Sequence, residues 1–128
     1  MINIDDNNPL LTSGAWVEFE GSEFLVTHMS NVSFQRSVMR KQAPYKSKID
    51  KGSLDPEITR DLMSKAMSES LILDWRNVTD NSGAKIEFNP QLCYKALKNN
   101  EALRDFISSF AMDLDNFKGE AIDQLGKN

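Results

Sequence analysis

Apolar residues recur along this chain at two different intervals, and the places where one interval gives way to the other mark its elements. Ala15-Trp16-Val17-Glu18-Phe19-Glu20 alternates large apolar with acidic residues, Gly21-Ser22 supplies a turn, and Phe24-Leu25-Val26-Thr27-His28 resumes as a β-rich run. Together they predict a hairpin. Its alternation is imperfect, because Trp16 and Phe19 differ in parity. Two strands alone are marginal in water, so the hairpin must lean on helices or pair with another chain. From Asn31 the interval lengthens to that of a helix. Asn31 caps a segment to about Gln42 with Phe34, Val38 and Met39 on one face and Arg36 and Arg40 one turn apart on another, and Pro44 stops it. In Asp55-Pro56-Glu57 each residue favours a helix start: an acceptor for free amides, a ring that fixes φ, and an anion at the positive end of the dipole. Ile58, Leu62, Met63, Ala66, Met67, Ser70 and Leu71 then recur at three and four residues. That spacing predicts an amphipathic helix of about five turns, to Leu73 or Asp74.

Trp75 stands where this helix stops. A large ring at such a junction anchors a core, and aromatic rings are also enriched on partner-binding surfaces. Val78 to Phe88 encloses the turn Asp80-Asn81-Ser82-Gly83 between β-prone residues, which predicts a small hairpin or an Ω-like loop. Asn89-Pro90 repeats the cap-and-proline start for a short helix with Leu92, Cys93, Ala96 and Leu97 inward, ending at Asn99-Asn100. Asn100 caps a final helix in which Leu103, Phe106, Ile107, Phe110, Ala111, Leu114, Phe117, Ala121, Ile122 and Leu125 keep a helical period. Its first half reads as core. Beyond about Leu114 it reads as core or as an interaction surface flanked by Asp113, Asp115, Glu120 and Asp123. Two stretches keep neither period: Met1 to Ser13, predicted as a flexible arm, and Tyr45 to Ser53, predicted as an exposed loop. The resulting fold class is mainly α, a small helical domain of about four helices with an N-terminal β-hairpin, α+β by strict count. It divides into the arm, 1–13, and a single domain, 14–128.

Composition adds a charge pattern that the periods do not show. The 128 residues carry a net charge of −4, with a pI near 5.0. Residues 1–35 hold five acids and no base, residues 36–51 six bases and one acid, and residues 99–128 six acids and three bases. A basic island can bind phosphate backbones, but the acidic total and the lack of interleaved stacking aromatics weigh against nucleic acid. A solvated or self-complementary face, or an acidic partner, fits the island better. No apolar run approaches the roughly 18 residues of a membrane span. Met1 to Leu11 carries acids and amides where a signal peptide would be basic and then apolar, so no membrane association is expected and the expected location is cytoplasmic.

Candidate chemistry is sparse. One cysteine, Cys93, excludes an internal disulfide, and with His28 as the one histidine the usual Cys/His zinc sets are excluded too. Cys93 reads as a buried, inert thiol, and His28 as a surface or satisfied structural residue. There is no phosphate-binding glycine loop, glycine-flanked serine nucleophile or HExxH. Asp113 with Asp115, and Asp5 with Asp6, are too close in sequence to form a catalytic dyad. Read as a calcium loop with Gly83 in the glycine position, 78–89 would begin with Val78 and end with Asn89, neither a carboxylate. No catalytic residue, cofactor or metal is expected. What remains suits binding to other proteins: Met39, Met63 and Met67 as groove or core filler, and the stripe of the final helix.

Trp75 also begins a series of short words. Asp74-Trp75-Arg76-Asn77-Val78 is followed by the Asp80 to Gly83 turn, Ile86-Glu87-Phe88-Asn89-Pro90, a short helix, Asn99-Asn100-Glu101-Ala102-Leu103-Arg104-Asp105-Phe106, and Ala111-Met112-Asp113-Leu114-Asp115-Asn116-Phe117. In that order the chain resembles the tail assembly chaperones of long-tailed, siphovirus-type bacteriophages and prophages, over about residues 71–128. The resemblance implies a protein that coats the tape measure protein during tail building, helps recruit tail tube subunits and is absent from the finished virion. It also implies work in the host cytoplasm and a longer isoform made by ribosomal frameshift. The residues compatible with such partner binding are Met63, Met67, Trp75, Phe110, Leu114 and Phe117. A homo-oligomer is compatible with the exposed hairpin edge. Two rival classes are a nucleic-acid-binding regulator using Arg36 to Lys51, and a tail subunit retained in the virion.

Overall fold

Glu20 and Gly21 both take positive φ, 51° and 85°, the geometry of the two-residue turn whose twist matches antiparallel strands. The turn therefore falls one residue before the expected Gly21-Ser22, and Ser22 joins a strand. In the computed structural model, which describes residues 1–5 and 8–118, this turn joins β1 (Ala15–Phe19) to β2 (Ser22–Val26). A third strand, β3 (Ile72–Arg76), pairs antiparallel with β2 and makes it the centre of the sheet. Pairing aligns Val17, Phe24 and Trp75 on one face and Trp16, Leu25 and Asp74 on the other. A bulge between Leu25 and Val26 leaves Leu73 unpaired.

Five further helices follow the four-residue helix α1 (Leu10–Ser13): α2 (Val32–Gln42), α3 (Lys46–Asp50), α4 (Pro56–Ala66), α5 (Pro90–Asn99) and α6 (Glu101–Met112). The architecture is a small α+β domain with an N-terminal hairpin, as the periods predict. Caps form at the expected residues: Asn31 accepts from Ser33 N–H, Asp55 from Glu57 N–H, Asn89 from Gln91 and Leu92 N–H, and Asn100 from Leu103 N–H. The core gathers Phe24, Val26, Ile72 and Trp75 of the sheet with Met67, Leu71, Cys93, Leu97 and Ile107 of the helical segments.

Four expectations are corrected. The helix from Pro56 does not reach Leu73. It widens into a π-helical turn, Met67–Leu71, and passes at Ile72 into β3, because β2 offers backbone partners that outweigh the helical period. Within the predicted loop 45–53, Lys46–Asp50 is helical. The final helix stops at Met112 rather than running to Leu125: Asp113 turns extended and caps a 3-10 turn, Leu114–Phe117, through Asp115 N–H. Asn116 Nδ2 then donates to Phe110 O at 3.0 Å. The expected stretch from Ala121 to Leu125 lies outside the described residues. Finally, part of the expected arm is tied down. His28 N–H donates to Leu11 O, and Asn8 Nδ2 donates to Phe117 O at 2.6 Å. His28 is satisfied on one side: its Nδ1 accepts from Ser30 N–H, while Nε2 is buried with no hydrogen-bond partner among the described residues.

Candidate functional site

Asn77 takes φ 63° immediately after β3, and this left-handed residue turns the chain into the 78–88 loop. The loop is held at three levels. Trp75 Nε1 donates to Ile86 O at 2.8 Å, and Ile86 N–H donates to Val78 O at 2.8 Å. Thr79 and Lys85 form an isolated antiparallel bridge. At the tip, one Asp80 carboxylate oxygen accepts from Ser82 N–H, the Ser82 hydroxyl and Ala84 N–H. These donors, the Ser82 hydroxyl first, hold the Asp80 carboxyl below its usual range. The expected small loop is therefore a closed, internally bonded one.

Between this loop and α5 lies a cleft of about 480 Å³. Its apolar lining is Trp75, Val78, Ile86, Leu92 and Ala96, and Asp80, Asn81, Ser82, Lys95 and Asn99 complete it. Trp75 is fixed from behind by edge-on contacts with Phe24 and Phe88, ring centroids 6.4 and 5.3 Å away. Leu92 is 38 % exposed. A rigid apolar lining with a cation and an anion on it suits an amphipathic segment better than a fully apolar or fully charged one.

The six residues expected at a partner surface do not form one surface. Met67 is 1 % and Phe117 0 % exposed, so both are core. Met67 is sealed by the π-helical turn, and Phe117 is folded back by the break after Met112 until its ring lies 5.4 Å from those of Phe110 and His28. Trp75, at 6 % exposure, is core and cleft lining together. Phe110 is half-buried against the core. Met63 lines a separate cleft of about 220 Å³ with Ile49, Leu54 and Leu62. Leu114 is 56 % exposed beside the equally open Met112. Val78, Ile86, Leu92 and Lys95 are the residues that sequence reasoning missed. The signal available for them was the flanking of a polar turn by Val78 and Ile86.

A larger open groove of about 840 Å³ runs along α4 and α5 and is polar. In it the Tyr94 hydroxyl donates to Asp61, Lys65 lies 3.1 Å from the other Asp61 oxygen, and Lys65 and Lys98 approach the Tyr94 ring at 5.6 and 5.8 Å. The tyrosine bond, and then Lys65, hold the Asp61 carboxyl below its usual range. These charges are mutually satisfied. Among the described residues there is no group of His, Cys, Asp and Glu able to hold a metal, and no helix long and apolar enough to cross a membrane.

Fold and cleft together define a small α+β domain with a solvent-facing cleft of mixed lining. Residues 29–128 match the family model described as YdaY prophage protein. The chain belongs to that family and is a prophage protein; the match takes in the whole cleft and begins just after β2. No curated protein and no solved structure matches the chain.

Proposed function

We propose that this prophage protein is a non-enzymatic tail assembly chaperone, which binds the tape measure protein and assists tail tube subunits during tail morphogenesis in the host cytoplasm. One observation carries the reading. The words through which the chain resembles tail assembly chaperones at 74–78, 80–83 and 86–90, and the short helix that follows them, meet at the cleft between the loop and α5. An amphipathic helix of the tape measure protein would set an apolar side chain against Trp75, Ile86 and Leu92 and leave its polar flank beside Asp80 and Lys95.

The test is co-expression with the tape measure protein of the same prophage, followed by pull-down and measurement of the soluble fraction. Leu92→Asp changes an exposed position and leaves the fold intact; the soluble tape measure protein it recovers falls severalfold. If folded Leu92→Asp and Val78→Asp proteins hold the tape measure protein as well as the parent does, the cleft is not the binding site. Substitutions at Met67 or Phe117 would unfold the domain and do not test binding. Recovery of the protein in stoichiometric amount from purified tails would replace the chaperone with a virion subunit.

A further inference from the structure

The outer face of the sheet carries an arrangement that the fold itself does not need. Glu18 and Glu23 sit directly opposite each other across β1 and β2, and like charges in that position destabilise a sheet. Among the described residues only Arg76, 3.9 Å from Glu23, partly offsets them, and its guanidinium is also stacked 3.8 Å from the Trp16 ring centre. The next row of the same face is Trp16, Leu25 and Asp74, and the bulged Leu73 is 39 % exposed. The face is acidic with an apolar strip.

On α2 the converse occurs. Val32, Arg36 and Met39 recur at helical spacing on one exposed side with Arg40 beside them, and Val32 and Met39 are 54 % and 68 % exposed. Lys46, Lys48 and Lys51 continue the charge through α3. Among the described residues the ion pairs are Lys41–Glu69, Lys65–Asp61, Arg76–Glu23 and Lys118–Asp115. None joins the exposed cations of this strip to the acids of the sheet. The two surfaces also agree in spacing. Arg36 and Arg40 are one turn apart, about 6 Å along the axis, and the Cβ atoms of facing strand residues such as Glu18 and Glu23 lie about 5 Å apart.

We propose that these surfaces recognise each other between two copies of this chain. The α2 stripe of one copy lies on the outer sheet face of the next, with Arg36 and Arg40 on Glu18 and Glu23 and with Val32 and Met39 on Trp16, Leu25 and Leu73. Because one patch meets a different patch, the contact either closes reciprocally in a two-fold dimer or continues head to tail into rings or short filaments. It goes beyond the chaperone reading and does not depend on it.

Light scattering of the full chain after size exclusion, over a range of concentrations in low and high salt, tests this. In low salt the mass is expected to rise with concentration above the 14.5 kDa of one chain, and to fall back to it in high salt. Arg36→Glu/Arg40→Glu and Glu18→Lys/Glu23→Lys, each checked by circular dichroism, weaken association by about tenfold or more. Mixed in equal amounts they recover it, because each retains the surface that the other lacks. Glu18→Lys alone serves if the double change perturbs the sheet. A wild-type chain that stays monomeric in low salt, or an oligomer indifferent to both charge reversals, overturns the proposal. So does association that needs an added oligonucleotide and is lost only in Arg36→Glu/Arg40→Glu, which would assign the strip to nucleic acid.

Discussion

Leu92 and Cys93 are adjacent in the chain and opposite in environment, the leucine 38 % exposed on the cleft and the cysteine 1 % exposed in the core. Burial pushes the Cys93 thiol up to about 12, because a thiolate in apolar surroundings loses its hydration. Since only the thiolate attacks disulfide reagents, Cys93 should react with a chromogenic disulfide at pH 8 about a hundredfold or more slower in the native protein than in denaturant. Equal rates in both would mean that α5 opens readily. Trp75 takes the anchoring role that its position at a junction suggests. Its ring is locked by Phe24, Phe88 and the Ile86 carbonyl, and it also lines the cleft. Phe117 shows the limit of reading residues one at a time. It continues the helical stripe of Phe106 and Phe110 in sequence, but it reaches the core only because the helix has already ended.

At the scale of elements, the starts of α2, α4, α5 and α6 were legible and those of α1, α3 and one strand were not. A cap is a local event: the side chain of Asn31, Asp55, Asn89 or Asn100 bonds an amide two or three residues on, and everything needed lies within one short window. β3 is different. Leu71-Ile72-Leu73 satisfies a helical and an extended pattern alike, and the choice is made by β2, far away in the sequence. The cleft was hidden for the same reason, since it exists only once Trp75 is in a strand and the 78–88 loop is folded onto α5. Asn89→Ala removes the one side-chain oxygen that accepts from Gln91 and Leu92 N–H, at 2.8 and 3.2 Å, and is expected to cost about 1 kcal/mol. Urea denaturation should show the midpoint falling with an unchanged slope. On the chaperone reading proposed above, retention of the tape measure protein should weaken with it, because α5 carries Leu92 and Lys95.

For the whole molecule, two carboxylates tie separate parts together and set its response to acid. The Tyr94 hydroxyl and Lys65 hold the Asp61 carboxyl low, joining α4 to α5, and Lys41 holds that of Glu69 low, joining α2 to the π-helical turn. A carboxyl depressed by folding adds stability that is present above its unfolded value, here 3.8 and 4.5. That stability is lost as pH falls through the lower folded value. Tyr94→Phe should therefore melt below the wild type at pH 6, and the two melting curves should converge as pH falls below 4. A gap that persists into acid would mean that the tyrosine acts through packing alone. The sheet has a different consequence, which concerns synthesis. Its central strand is finished at Val26, but its second neighbour begins at Ile72, after all of α2, α3 and α4. At about 5–20 residues per second the ribosome takes several seconds to supply it. During that interval one edge of β2 stands open beside Phe24 and Trp16, and nascent chains on one messenger would be most prone then to complete each other's sheets.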